Sequence, residues 1–332
     1  MNIEHANTLS QQVTIATLTL AAAALLAVPA ACRAAAIYVS ETGHYTVDEF
    51  TASGVGSVFA GAGYFAPPFY EPFGMAFDSV GNLFVADGYS NTIKKITPSG
   101  VVSMFASTGL SSPTGLAFDS VGNLYAANWG NNTIAQFAPD GVGSIFATMG
   151  LSCPWGLAFD KADNLFVANG VGSTIEKFTP NGGSSLFANS GLSSPFGLAF
   201  DNAGNLFVAN AVSDTIEEFT PGGVGSVFAN IGLNEPGGLA FDGAGNLYVA
   251  SQADGKIVEF TPGGVGSTFA SGLNQPTFLT IAPEPSTYAL FSIGIMAILA
   301  SRGRKVITVI RDSSLLPNKS RGRVKTPGQP LG

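Results

Sequence analysis

Residues 113–128 read PTGLAFDSVGNLYAAN, and close copies of that string begin at four other prolines: PFGMAFDSVGNLFVAD at Pro72, PWGLAFDKADNLFVAN at Pro154, PFGLAFDNAGNLFVAN at Pro195 and PGGLAFDGAGNLYVAS at Pro236. The aspartate inside the string falls at 78, 119, 160, 201 and 242, a constant step of 41 residues. Self-similarity at one fixed period means an array of small units, each of which buries its apolar face only against its neighbours.

The unit that starts at Pro113 parses into four short apolar runs, residues 115–118, 124–127, 133–137 and 144–147, with turn residues between them. Asp-x-x-Gly-Asn joins the first two runs. Its aspartate can accept from the backbone two residues on, and its glycine supplies a positive φ. Asp163 takes the glycine slot of the third unit, where a short polar side chain tolerates the left-handed region better than most. Thr-Pro-x-Gly joins runs three and four. Four antiparallel strands repeated at about 40 residues predict a β-propeller blade. Residues 37–60 match strands two to four of a unit, and residues 276–282 match strand one of another. The predicted fold is therefore all-β: a six-bladed β-propeller of four-stranded repeats, its last blade closed by both termini. Phe77, Phe84, Ile96 and Phe105, with their repeat mates, are expected to fill the space between blades.

Composition agrees with this parse. Of 332 residues 46% are hydrophobic and 11% charged, with 42 glycines, 25 phenylalanines, 2 cysteines and 2 histidines. Glycine at that level disfavours helices, and so apolar a chain is not disordered as a whole. Residues 37–282 carry 19 acids against 5 bases, a net charge of −14, which excludes nucleic acid as a partner for that stretch. Cys32 lies in a segment expected to be removed, leaving Cys153 without a disulfide partner.

The two ends read as addresses. Residues 1–36 hold an apolar run from Val13 to Ala31 and then Ala34-Ala35-Ala36, the A-x-A spacing that signal peptidase accepts, so they are read as a signal peptide. The n-region lacks Lys and Arg, and the alternative is an N-terminal anchor that is retained. Residues 283–305 place Pro283, Glu284 and Pro285 before an apolar run from Tyr288 to Ala300, followed by Arg302, Arg304 and Lys305. Bases after an apolar run hold that end in the cytoplasm and leave the preceding chain outside. The order of the three parts resembles the PEP-CTERM sorting signal of Gram-negative bacteria. That resemblance implies a short membrane-spanning sorting helix and processing by exosortase, a membrane cysteine protease that cleaves at the Pro-Glu-Pro motif. It implies a propeller held in the periplasm by a transient inner-membrane anchor and then moved to the cell surface or extracellular space. Residues 306–332 are a basic extension read as a disordered tail.

The repeat itself resembles the NHL repeat and the gluconolactonase and strictosidine-synthase-like propellers, over residues 37–282. In gluconolactonase-like enzymes a metal is held by acid and amide side chains in the channel. The matching places here are Ala76, Ala117, Ala158, Ala199 and Ala240, with Thr280 in the sixth blade, so neither a metal nor another cofactor is expected. His44 stands alone in the mature stretch and Cys153 has no histidine partner in its repeat, so no catalytic residue is assigned. The five aspartates of the repeat read as turn formers.

Positions that differ between near-identical units are those the blade does not dictate. They are the residue after the leading proline and the loop between strands two and three, both on one face of an up-and-down blade. Phe73, Tyr89, Trp129, Trp155 and Phe196 are thus expected to gather at one mouth of the channel, beside Asp87, Asn128, Asn169 and Asn210. Aromatic faces flanked by amides and a carboxylate suit sugar rings or a peptide. The function expected is non-enzymatic binding of an exopolysaccharide or another surface protein. The alternatives are a lactonase-like or lyase-like enzyme, and a purely structural matrix component.

Overall fold

The computed structural model describes residues 36–61 and 68–283. Its strands form six four-stranded antiparallel sheets, the blades of a propeller. Blade one consists of Pro72–Phe77, Leu83–Asp87, Thr92–Ile96 and Val102–Ala106, and blades two to five repeat it from Pro113, Pro154, Pro195 and Pro236. In blade six the inner strand, Pro276–Ile281, pairs with Ile37–Glu41, followed outward by Thr46–Phe50 and Gly56–Ala60. The ring thus closes through strands from opposite ends of the chain. The last bond of that closure runs from the Ala282 amide to the Ala36 carbonyl at 2.9 Å, and Ala36 is buried. Ala36 thus takes part in the closure of the ring.

Each strand's place in the blade follows from its residues. Strand two, for example Leu83–Asp87, is buried along its whole length because neighbouring blades cover both its faces. Strand four, for example Gly143–Ala147, is exposed except at its end and carries small or hydroxyl residues at its start. Between the blades an aromatic on strand two meets two phenylalanines edge-on. Phe84 lies 4.8 Å from Phe105 of its own blade and 5.1 Å from Phe118 of the next. Tyr125, Phe166, Phe207 and Tyr38 repeat both contacts. Such edge-to-face pairs each contribute about 0.5–1.5 kcal/mol beyond the area they bury.

The Asp-x-x-Gly-Asn turns close as expected. Asp78 Oδ1 accepts from the amides of Val80 (3.1 Å) and Asn82 (2.8 Å), and Oδ2 accepts from Asn82 Nδ2 (2.7 Å). Asp119, Asp160, Asp201 and Asp242 bond in the same way to the asparagine four residues on. Asp163 holds φ at 57° in the glycine slot. Burial raises the Asp160 carboxyl, but its bonds from Asn164 and Ala162 and the Lys177 charge outweigh that and hold it below the usual carboxylate range.

The glycine two residues after each leading proline sits where the inner strands converge. A Cβ on Gly115 would run into the carbonyl oxygen of Trp155 on the next blade, and Gly74, Gly156 and Gly197 face the same obstacle. Gly115→Ala is expected to cost about 1–3 kcal/mol by overpacking, read as a lower urea midpoint. Gly222→Ala, in a turn where the added Cβ meets no atom closer than 3.9 Å, is expected to cost nothing or to stabilise slightly.

Candidate functional site

The variable residue after each leading proline owes its direction to a break in the ladder. In blade three Pro154 pairs with Asn169 and Leu157 with Val167, so Trp155 and Gly156 together oppose one residue. The same bulge recurs at the start of every inner strand, including that of blade six. A bulge re-aims the side chain it carries, and here it turns that chain toward the upper mouth of the ring.

At that mouth the aromatics meet one another. Trp155 stacks on Phe196 with centroids 4.4 Å apart and planes at 23°, and meets Phe73 edge-on at 5.7 Å. Phe196 in turn lies 5.0 Å from Phe278. Phe278 belongs to blade six and occupies the place that is glycine in the other five blades, so the sequence reading passed over it. Its departure from the repeat was the signal that could have found it. Thr114, Gly237 and Thr277 hold the small positions between, which leaves room for the large rings to reach across. Trp129 approaches Trp155 at 6.3 Å and remains 43% exposed. Tyr89 is 74% exposed and pairs with Tyr70 at 6.1 Å, a neighbour the repeat pattern did not reveal. Phe196, by contrast, is only 8% exposed.

The polar residues expected beside them are turned inward. Asn128 Oδ1 accepts from the Ser111 amide (3.0 Å), while Nδ2 donates to the Gly109 carbonyl and to Thr133 Oγ1, both at 3.0 Å. Asn169 and Asn210 make the same three bonds in their own blades. Asp87 Oδ1 accepts from the amides of Tyr70 (3.3 Å) and Glu71 (3.0 Å). All four are buried clamps on the loop that enters strand one. A loop crossing between blades leaves amides and carbonyls that water cannot reach, and the last side chain of strand two supplies their partners. Glu41 fills this place in blade six: its Oε2 accepts from the Asn274 amide at 2.8 Å and lies 2.8 Å from His44 Nδ1. Burial raises the Glu41 carboxyl against the bond from Asn274. His44 is thus tied to the ring closure. Cys153 is half-buried, with φ at 49° and its amide bonded to Asn132.

Below the aromatic cluster lies a channel cavity of about 120 Å³, lined by Met75, Leu116, Leu157, Leu198 and Leu239 with the strand-one glycines, Phe278 and Leu279. Of the six channel positions read from the sequence, Ala240 and Thr280 line this cavity. Ala76, Ala117, Ala158, Ala199 and Ala240 each also pack against a cluster between two blades, and Ala76 borders the lower opening of the channel. Among the described residues no group of three or more His, Cys, Asp or Glu side chains converges.

A family profile for the PEP-CTERM protein-sorting motif matches residues 282–305. The chain thus carries the mark of an exported protein of Gram-negative type that is sorted and processed by exosortase. A search of curated proteins finds no match. Among solved structures, one titled as a nidogen/laminin complex superposes with a TM-score of 0.67 at 20% identity, over 76% of this chain and 99% of that one. Virginiamycin B lyase from Staphylococcus aureus gives 0.59 at 16%, over 74% and 87%. A protein of gluconolactonase type gives 0.56 at 16%, over 66% and 88%. These likenesses establish the propeller fold, which hosts binding modules and enzymes alike. Pro283 is at the edge of the described residues. Glu284, Pro285, Arg302, Arg304, Lys305, the expected sorting helix, the tail and the signal peptide lie outside them, and no helix among the described residues is long and apolar enough to cross a membrane.

Two outcomes test this division of roles. Asn169→Ala leaves the Ser152 amide and the Gly150 carbonyl unpaired, at an expected cost of about 1–3 kcal/mol in chemical unfolding. Trp129→Ala, on an exposed ring, is expected to change stability by less than about 0.5 kcal/mol. Glu217, 6% exposed and set against Gly191 of the preceding loop, has its carboxyl pushed up by burial. The native state therefore holds this proton to higher pH than the unfolded chain does, and ionising it as pH rises costs the native state stability. Glu217→Gln is expected to raise the melting temperature at neutral pH, with the gain shrinking as pH falls into the ordinary glutamate range and below.

Proposed function

We propose that the exported propeller is a non-enzymatic binding protein of the cell surface or extracellular matrix, and that it takes an exopolysaccharide or another surface protein on its aromatic mouth. The observation that carries this reading is the aromatic shelf itself. Phe73, Trp155, Phe196 and Phe278 pack into one cluster over the channel, and that packed base presents Trp129, with Tyr89 and Tyr70 nearby, to solvent. A half-exposed ring braced against a packed neighbour loses little entropy when it stacks on a sugar ring or an apolar peptide face.

The channel's lining supports binding over turnover. Enzymes on related propellers work on groups that converge in the channel, whereas leucine, methionine and glycine line this one and an aromatic cluster lies over it. The inward-turned asparagines also change which side chains count: the ligand meets rings, and Asn128, Asn169 and Asn210 hold the loops that carry them.

The test is a glycan array, paired with pull-down of the cell's own polysaccharide and surface proteins, using residues 36–283, which contain every strand of the ring. Binding that Trp129→Ala and Tyr89→Ala each weaken several-fold, at unchanged melting temperature, is the expected result. Binding that survives both substitutions moves the site elsewhere. Chelator-sensitive turnover of a lactone would replace this reading with the enzymatic one.

A further inference from the structure

The chain leaves the ring from one side. Strand one of blade six runs from Pro276 at the aromatic mouth down to Ile281, and Pro283 follows beside the lower opening of the channel, near Ala76, Asp78 and Asp119. Ala36 is there too, bonded to Ala282, so both ends of the folded ring emerge on the face that carries the one–two and three–four turns. Only residues 284–287 separate Pro283 from the apolar run that starts at Tyr288. At about 3.5 Å per residue, those five steps span roughly 17 Å at most.

From this tether we propose that, in the membrane-anchored precursor, the propeller rests with its lower face on the bilayer and holds its aromatic mouth away from it. The inference depends on the sorting signal acting as an anchor. Strand one is the innermost strand, so the tether is attached near the centre of the ring. Standing the ring on its rim would lift that attachment by at least three strand spacings of about 4.8 Å plus the side chains beyond, which uses up the tether. Turning it over would add the height of the strands as well.

The lower face also carries exposed apolar side chains. Val55, Val101, Val142, Val224 and Val265 stand exposed where five of its three–four turns close into strand four. A bilayer set against the lower face would cover these valines and leave Val171 and Val212 of the upper loops in water. A retained N-terminal segment would pull the same way, because Ala36 leaves from the same place.

Single cysteines test the orientation in the full-length chain carrying Cys32→Ser and Cys153→Ala, produced in a Gram-negative host that lacks exosortase. Val80→Cys and Val224→Cys lie on the lower face, while Val171→Cys and Val212→Cys lie on the upper. The four valines are 75%, 70%, 74% and 73% exposed, so their intrinsic accessibility is matched. In spheroplasts, a bulky membrane-impermeant maleimide is expected to label the lower pair several-fold more slowly than the upper pair. Detergent solubilisation, or a long Gly/Ser insertion after Pro283, is expected to equalise the rates. Equal labelling in the membrane without the insertion, or slower labelling of the upper pair, overturns the orientation while leaving the sorting signal intact. Recovery of the full chain from the soluble fraction overturns the anchor and the orientation together.

Discussion

The ring depends on how closely its inner strands approach. At the glycine two residues after each of the first five leading prolines the backbone of one blade meets the backbone of the next, and there is no space for a Cβ. That contact sets the width of the channel and the angle between blades. The edge-to-face aromatic pairs farther out depend on it as well. The residue before the glycine rides on a bulge that recurs in all six inner strands, and that bulge aims a variable side chain at the mouth. Blade six lacks the glycine. Phe278 stands there, joins the aromatic cluster and lines the channel cavity at the seam where the two chain ends meet.

Repetition makes structural roles easy to recognise. The aspartate of each one–two turn bonds to the same three groups or nearly so, and its recurrence in every unit already argued for a turn former over a carboxylate ring. The aromatic fill between blades was legible for the same reason, since a position that is Phe or Tyr in every unit has a neighbour that every unit provides.

The mouth was half legible. Variation between units singled out Phe73, Tyr89, Trp129, Trp155 and Phe196, and the structure places them on one face, four of them in mutual contact or one ring removed. Asn128, Asn169 and Asn210, expected as polar companions of the rings, recur from unit to unit. By the logic that explained the aspartates, recurrence marks a structural duty, and here the duty is to satisfy buried loop amides and carbonyls.

The sequence alone determined the repeat, the blade count, the closure by both ends and the sorting segment, because each is a matter of order and spacing along the chain. The tertiary structure decided which side chains are free to act. Whether an asparagine faces a ligand or a neighbouring loop, and whether an aromatic stacks outward or on Phe196, depends on what the adjoining blade places within a few ångströms. It also decided the side from which the chain ends emerge, because that follows from the direction of one strand within a closed ring.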